Sequence, residues 1–328
     1  MDPTSASVRP AGAGESLLEA EHLTMDYGAV RAVDDLSFSV ARGEIVGFLG
    51  PNGAGKSTAM RILVGYQVPS AGTVRLAGGD IFRQGATLKR QLGYLPENPP
   101  LYGEMRVGEH LAWTAALKGL RGAAREAALT RVREMLGLQE VWQRLTQNLS
   151  RGFRQRVGLA QCLIADPPLL ILDEPATGLD PNQIHDLRAL LATWREEKAI
   201  LLSTHILAEA LQLCDRVLVL SRGRLVASES PQLLAGRGAQ RMRTVILVRG
   251  TGRDPLEGLD GGTLVARPEM RDGPETLWRL EGEMDRAGRL ALLGHLVARG
   301  WDLVEWSAGL SALEQAFRKL TLEEGGEA

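Results

Sequence analysis

The 328-residue chain is 44% hydrophobic and 24% charged, with a formal net charge of −2 and a pI near 6.3. This is the composition of an ordinary globular protein with room for roughly two domains, and so small a net charge gives no electrostatic footprint for nucleic acid. No apolar run approaches the ~20 residues needed to span a bilayer.

Two cysteines, Cys162 and Cys214, each lie in an apolar-periodic stretch, which fits core residues in a reduced compartment better than a disulfide. A basic start followed by an apolar stretch is lacking, so no signal peptide is expected. The expectation is a cytosolic protein that borrows any membrane role from a partner.

Residues 1–16 are rich in Ala, Ser, Gly and Pro and read as disordered. Residues 17–24 read as a strand, followed by a turn at Met25-Asp26-Tyr27-Gly28. Leu36-Ser37-Phe38-Ser39-Val40 alternates as a half-buried antiparallel strand does. The apolar Ile45-Val46-Gly47-Phe48-Leu49 then runs into Gly50-Pro51-Asn52-Gly53-Ala54-Gly55-Lys56-Ser57-Thr58, and Met60, Ile62, Leu63 and Val64 continue with helical spacing. Strand, glycine loop and helix form the setting that a phosphate-binding P-loop requires. Glycines 50, 53 and 55 let backbone N–H groups turn inward around a polyphosphate, and the helix starting near Lys56 adds the positive end of its dipole. Lys56 is expected to reach the β- and γ-phosphates and the Ser57 hydroxyl to ligate Mg²⁺, with Asn52, Gly53, Gly55 and Thr58 completing the loop. The chain is therefore expected to bind a nucleoside triphosphate.

Val74-Arg75-Leu76 and the turn at 77–80 continue this β-rich opening, and 93–97 is a short strand entering a Pro-rich loop. Residues 107–145 carry helical spacing, with Leu111, Ala115 and Leu117, then Leu129, Val132, Met135 and Leu136, which predicts a helical insertion. It closes at Leu149-Ser150-Arg151-Gly152-Phe153, after which Val157, Leu159, Ala160 and Leu163 begin another helix. Leu169-Leu170-Ile171-Leu172-Asp173-Glu174 is a buried strand ending in two carboxylates. A helix at 189–195, a buried strand at 199–205 and a hairpin around Arg222-Gly223 follow, and the alternation predicts a parallel α/β sheet. Gly236-Arg237-Gly238-Ala239 reads as a linker. Beyond it, strands near 245–248, 263–266, 277–280 and 301–304 alternate with helical patterns at Leu290, Leu293 and Val297 and at Leu310, Leu313, Phe317 and Leu320. Trp301 and Trp306 flank the last strand and read as core, and no internal repeat is present.

An apolar strand ending in Asp downstream of a P-loop reads as a Walker B motif. Asp173 is expected to hold Mg²⁺, directly or through water, and Glu174 to polarise a water for in-line attack. With both Walker motifs in place, residues 17–235 resemble the nucleotide-binding subunit of an ABC transporter. Residues 149–153 resemble the family's LSGGQ signature, and Ala176-Thr177-Gly178-Leu179-Asp180 resembles its D-loop. His205 stands like the switch histidine, Glu97 where a Q-loop glutamine is usual, and Tyr27 where an aromatic ring stacks on adenine.

Two departures accompany the resemblance. Arg151 and Phe153 replace Gly and Gln in the signature, while Ser150 and Gly152 are kept and the cation of Arg151 adds to the attraction for a phosphate. Glu97 keeps an oxygen for Mg²⁺ and loses an amide donor. Both changes are similar to those in bacterial exporter ATPases of the sodium-export, drug-resistance and gliding-motility kind.

The resemblance implies an α/β P-loop NTPase core with an antiparallel β subdomain and a helical subdomain at about 100–158, followed by a small accessory α+β domain over 236–328. It implies hydrolysis of ATP with Mg²⁺, with Glu174, His205 and Glu97 as catalytic residues and Ser57, Glu97 and Asp173 toward the metal. Nucleotide contacts are implied for Tyr27, for Asn52, Gly53, Gly55, Lys56, Ser57 and Thr58 in the P-loop, and for Ser150, Gly152 and Asp180. One P-loop and one signature per chain imply a head-to-tail homodimer acting on separate transmembrane permease subunits, peripheral on the cytoplasmic face of the membrane. A soluble ABC ATPase acting on ribosomes or nucleic acid is the other reading. It is less favoured, because such proteins carry two ATPase units or long coiled coils. An intact Glu174 argues against a regulatory module without turnover.

Overall fold

The computed structural model describes residues 16–204, 206, 210, 212–238, 242–251, 254–257, 264–272, 275–284 and 286–308. The N-terminal stretch expected to be disordered, His205 and the helical pattern from Leu310 onward lie outside the described residues. The chain divides into two compact units, Met1–Ser230 and Pro231–Ala328.

The first unit holds two sheets. Strands β1 (Ser16–Tyr27), β2 (Val30–Ala41), β4 (Ala71–Leu76) and β5 (Gly79–Asp80) form an antiparallel sheet in the order β2-β1-β4-β5. The other sheet has the order β10-β9-β3-β8-β7-β6, built from β3 (Ile45–Leu49), β6 (Leu92–Leu95), β7 (Leu169–Leu172), β8 (Ala199–Thr204), β9 (Arg216–Ser221) and β10 (Arg224–Glu229). Its strands run parallel except for β10, which pairs antiparallel with β9. Every residue of β3, β7 and β8 is buried, as central parallel strands covered on both faces require.

Helix α1 (Lys56–Leu63) follows β3, and the short α2 (Gly85–Leu88) follows β5. Helices α3 (Val107–Leu117), α4 (Gly122–Met135) and α5 (Arg151–Leu163) make the expected insertion between β6 and β7, and α6 (Pro181–Trp194) links β7 to β8. Leu18, Leu23, Leu36 and Leu76 of the first sheet pack with Phe48, Met60, Ile62 and Leu218 into one core. Phe38 and Phe48 meet edge to face at 5.1 Å, which joins the two sheets. Both cysteines are buried and neither is in a disulfide, and burial pushes the Cys162 thiol up to about 12, so it is inert.

Two boundaries differ from the sequence expectation. Strand β1 runs through Tyr27, because Met25, Asp26 and Tyr27 pair with Val33, Arg31 and Val30, and the turn falls on Gly28 with φ +61°. Helix α6 starts at Pro181, well before 189, because Asp180 caps it and proline suits a first helical turn.

Within α3, His110 is fully buried, its Nε2 lies 3.1 Å from Gln161 Oε1, and its Nδ1 has no hydrogen-bond partner. Burial holds its pKa below the usual value, so the folded chain disfavours the proton that the unfolded chain accepts near pH 6.5. Stability is therefore expected to be intact above that pH and to fall by up to about 1.4 kcal/mol per pH unit below it. Thermal unfolding from pH 7.5 to 5.5 should show this slope in the wild type and a flatter one in His110→Phe. Equal slopes would refute it.

The second unit begins with α7 (Pro231–Gly238), a helix that covers most of the stretch expected to be a linker. Strands β11 (Met242–Gly250), β12 (Val265–Asp272), β13 (Glu275–Met284) and β14 (Asp302–Ala308) form an antiparallel sheet in the order β12-β13-β11-β14, the order of a split βαβ arrangement. Helix α8 (Arg286–Ala298) lays Leu292 and Leu296 on Ile246, Val248, Leu280 and Met284. Trp301 is in this core and Trp306 packs against it. No helix among the described residues is long and apolar enough to cross a membrane.

Candidate functional site

The glycine loop leaves the buried end of β3 and enters α1 through Gly55, whose φ is +98°. A Cβ at position 55 would collide with the Ala32 carbonyl oxygen, so both conformation and space demand glycine there. The loop is braced from behind: Gly223 N donates to Ala54 O at 3.0 Å, and Asp34 N donates to Gly223 O at 2.9 Å. The turn between β9 and β10 thus fixes the backbone of the glycine loop.

Lys56 is only 6% exposed, and its Nζ donates to Gly50 O at 2.7 Å and Pro51 O at 3.2 Å. Burial lowers its pKa, and the charges of Glu174 and Asp173 oppose that shift.

Asp173 follows β7 and is 4% exposed, with its N–H donating to Leu95 O at 2.8 Å. Ser203 of β8 donates from Oγ to Asp173 Oδ1 at 2.6 Å and accepts the Glu174 N–H at 2.8 Å. One hydroxyl therefore orients both acidic residues. Glu174 has φ +51°, and its Oε2 accepts the Thr177 hydroxyl at 3.2 Å. A left-handed backbone at a glutamate costs of order 1–3 kcal/mol and persists only where its surroundings over-determine it. On β6, burial and the nearby Asp173 charge push the Tyr94 phenol up to about 12, so it stays neutral.

An open cleft of about 320 Å³ brings together Ala32, Asn52, Gly53, Gly55, Lys56, Ser57, Thr58, Glu97, Glu174 and Thr177. Glu97 reaches it from the loop after β6, so eight of the expected site residues share one cavity wall. Tyr27 is 45% exposed and stands outside that lining, its hydroxyl donating to Gln67 Oε1 at 2.7 Å.

Ser150, Gly152 and Asp180 also lie outside the lining. Ser150 caps α5, accepting the Phe153 N–H at 3.4 Å. Asp180 caps α6, accepting the Gln183 N–H at 2.9 Å while Gln183 Oε1 accepts the Asp180 N–H at 3.3 Å. The Asp180 carboxylate is thus occupied by a helix end of its own chain.

A model of the ABC transporter family matches residues 33–177, a span holding the P-loop, the α5 N-terminus and the Asp173–Glu174 pair. The Nod factor export ATP-binding protein I of Paraburkholderia xenovorans is 39% identical over 224 residues, which cover 67% of this chain and 73% of that protein. The chain belongs to the ABC transporter ATP-binding family.

The probable multidrug ABC transporter ATP-binding protein YbhF of Escherichia coli is 37% identical over 227 residues, 69% of this chain, and this stretch spans 39% of that longer protein's length. A solved ATP-binding subunit of an ABC transporter superposes with a TM-score of 0.63 at 36% identity, covering 67% of this chain and 92% of that one. ABC ATP-binding domains hydrolyse ATP.

Sequence reading missed Ser203 and Thr177. The signal for Ser203 was a hydroxyl closing an otherwise apolar strand beside Walker B; for Thr177 it was only proximity to Glu174.

Proposed function

We propose that this chain is the ATP-hydrolysing subunit of an exporter-type ABC transporter, working as a head-to-tail pair of identical chains on separate permease subunits at the cytoplasmic face of the membrane. The observation that carries the reading is how one chain distributes its site residues. The P-loop, Glu97 and Glu174 share a cleft, whereas Ser150 and Gly152 stand at the N-terminus of α5, outside its lining. A helix N-terminus of that kind suits an anion, and a second chain's γ-phosphate completes it. Two identical chains related by a two-fold axis satisfy both sites at once. The relatives' names, multidrug transport and Nod factor export, support an export role. The 231–328 unit is assigned to stabilising the pair or contacting a partner.

Within each site, the backbone amides of the P-loop cradle the phosphates and Lys56 exchanges its loop carbonyls for β- and γ-phosphate oxygens. Ser57, Glu97 and the Asp173 carboxylate supply hard oxygen donors. Their chemistry suits Mg²⁺: Ser57 and Glu97 line the cleft, and Asp173, outside that lining, keeps its second oxygen while Ser203 holds Oδ1. When bound, the ion neutralises charge on the β- and γ-phosphates. Glu174 takes a proton from the attacking water, held in place by the Thr177 hydroxyl. By the resemblance, His205 contacts the γ-phosphate and Tyr27 stacks on adenine.

A large side chain at Gly152 tests the division of labour by blocking the N-terminus of α5, where in its own chain it displaces the Gln183 amide and no residue of the cleft. Gly152→Trp is expected to bind ATP as the wild type does and to lose hydrolysis by roughly 10²–10³-fold, the usual effect of removing a transition-state donor. Mixing it with Lys56→Ala should restore turnover to about a quarter of wild type, since random pairing yields one intact composite site in half the pairs. Loss of ATP binding by Gly152→Trp, or no recovery on mixing, would refute the paired reading.

A further inference from the structure

Arg151 opens α5 with an exposed side chain that crosses to the segment after Glu174. It fills the space that a side chain at Gly178 would need: a Cβ there would collide with the Arg151 Nε, Cζ and Cδ. Gly178 also has φ +75°, so the turn is shaped for this contact twice over. Two further ties join α5 to the same segment. Gln155, itself buried, donates from Nε2 to Pro175 O at 2.9 Å. The Gln183 amide, which accepts the Asp180 N–H, lies against Gly152. The segment so held begins at Glu174 and folds back on it: Thr177 N donates to Glu174 O at 3.0 Å, the Thr177 hydroxyl to Glu174 Oε2 at 3.2 Å, and Leu179 N to Ala176 O at 3.2 Å.

We propose that Arg151 is a positioning residue: it braces the 175–180 turn of its own chain and, through Thr177, sets the Glu174 carboxylate, rather than contacting the phosphate bound by Ser150 and Gly152. The planar, weakly hydrated guanidinium suits this task, because a lysine ammonium would seek water. The proposal rests on the paired reading above only in leaving Ser150 and Gly152 to the partner chain's nucleotide, and the brace itself lies within one chain.

Hydrogen–deuterium exchange on the full-length chain without nucleotide tests the brace independently of pairing. Arg151→Ala should speed exchange across 175–180 by roughly three- to tenfold, the range open to one lost packing contact, and leave α1 and β7 unchanged. Arg151→Lys should recover little of the protection. Unchanged exchange would overturn the brace. In steady-state hydrolysis, Arg151→Ala should lower kcat and leave KM within about twofold. A raised KM with unchanged kcat would make Arg151 a phosphate ligand and overturn the proposal. Failure of the mixed Gly152→Trp and Lys56→Ala chains to recover turnover would instead refute the pairing, with the exchange result still deciding the brace.

Discussion

Replacing Glu174 by Gln is expected to lower ATP hydrolysis by roughly 10²–10⁴-fold, the usual contribution of a general base, while ATP still binds. The substitution keeps the size of the side chain and an oxygen to accept the Thr177 hydroxyl, and the Ser203 bond to the residue's N–H is made by backbone. What disappears is the proton acceptor and a negative charge in the cleft. Lys56, Ser57 and Asp173 are untouched, so MgATP should still close the pair, and the closed form should accumulate because the step that reopens it is blocked. Light scattering after size exclusion should show a monomer without nucleotide and a dimer with MgATP. Turnover at the wild-type rate would remove Glu174 from its role. A monomer in MgATP would leave that role standing and assign closure to the membrane partner.

Lys56→Ala should act earlier, at binding. The ammonium makes two hydrogen bonds to loop carbonyls, at 2.7 and 3.2 Å, and is expected to transfer them to phosphate when ATP arrives. Hydrogen bonds to a charged group are worth about 1.5–3 kcal/mol each, so losing two weakens ATP by roughly two to four orders of magnitude. The fold should survive, because Met60, Ile62 and Leu63 anchor α1 in the core. Calorimetric titration with ATP measures the loss, and an unchanged affinity would mean that the loop is not a phosphate cradle.

The P-loop was legible in the sequence because its demands are local. Glycines where the backbone must turn, an apolar run before and a helical pattern after leave one reading, and the structure seats those residues in the cleft. The two carboxylates were legible for the same reason, as the end of a buried strand. The start of α6 was written as Asp180-Pro181 but outweighed by the weak apolar spacing that follows. Gly236 and Gly238 pointed to a linker, yet Pro231 at a first helical turn and the fully buried Leu234 belong to a helix. The contact of Arg151 with Gly178 carries no spacing signal, because it joins a helix start to a distant loop, and only tertiary structure brings the two together.

The shared hydroxyl of Ser203 has a further consequence. Because it grips Asp173 Oδ1 with one side and the Glu174 N–H with the other, the two acids behave as one mechanical part. A substitution that reset Asp173 to suit a larger cation would drag the Glu174 backbone with it. With Asp173 assigned to the ion and Glu174 to the water, as proposed above, ion preference and turnover are expected to be inherited together, each hard for selection to tune without disturbing the other.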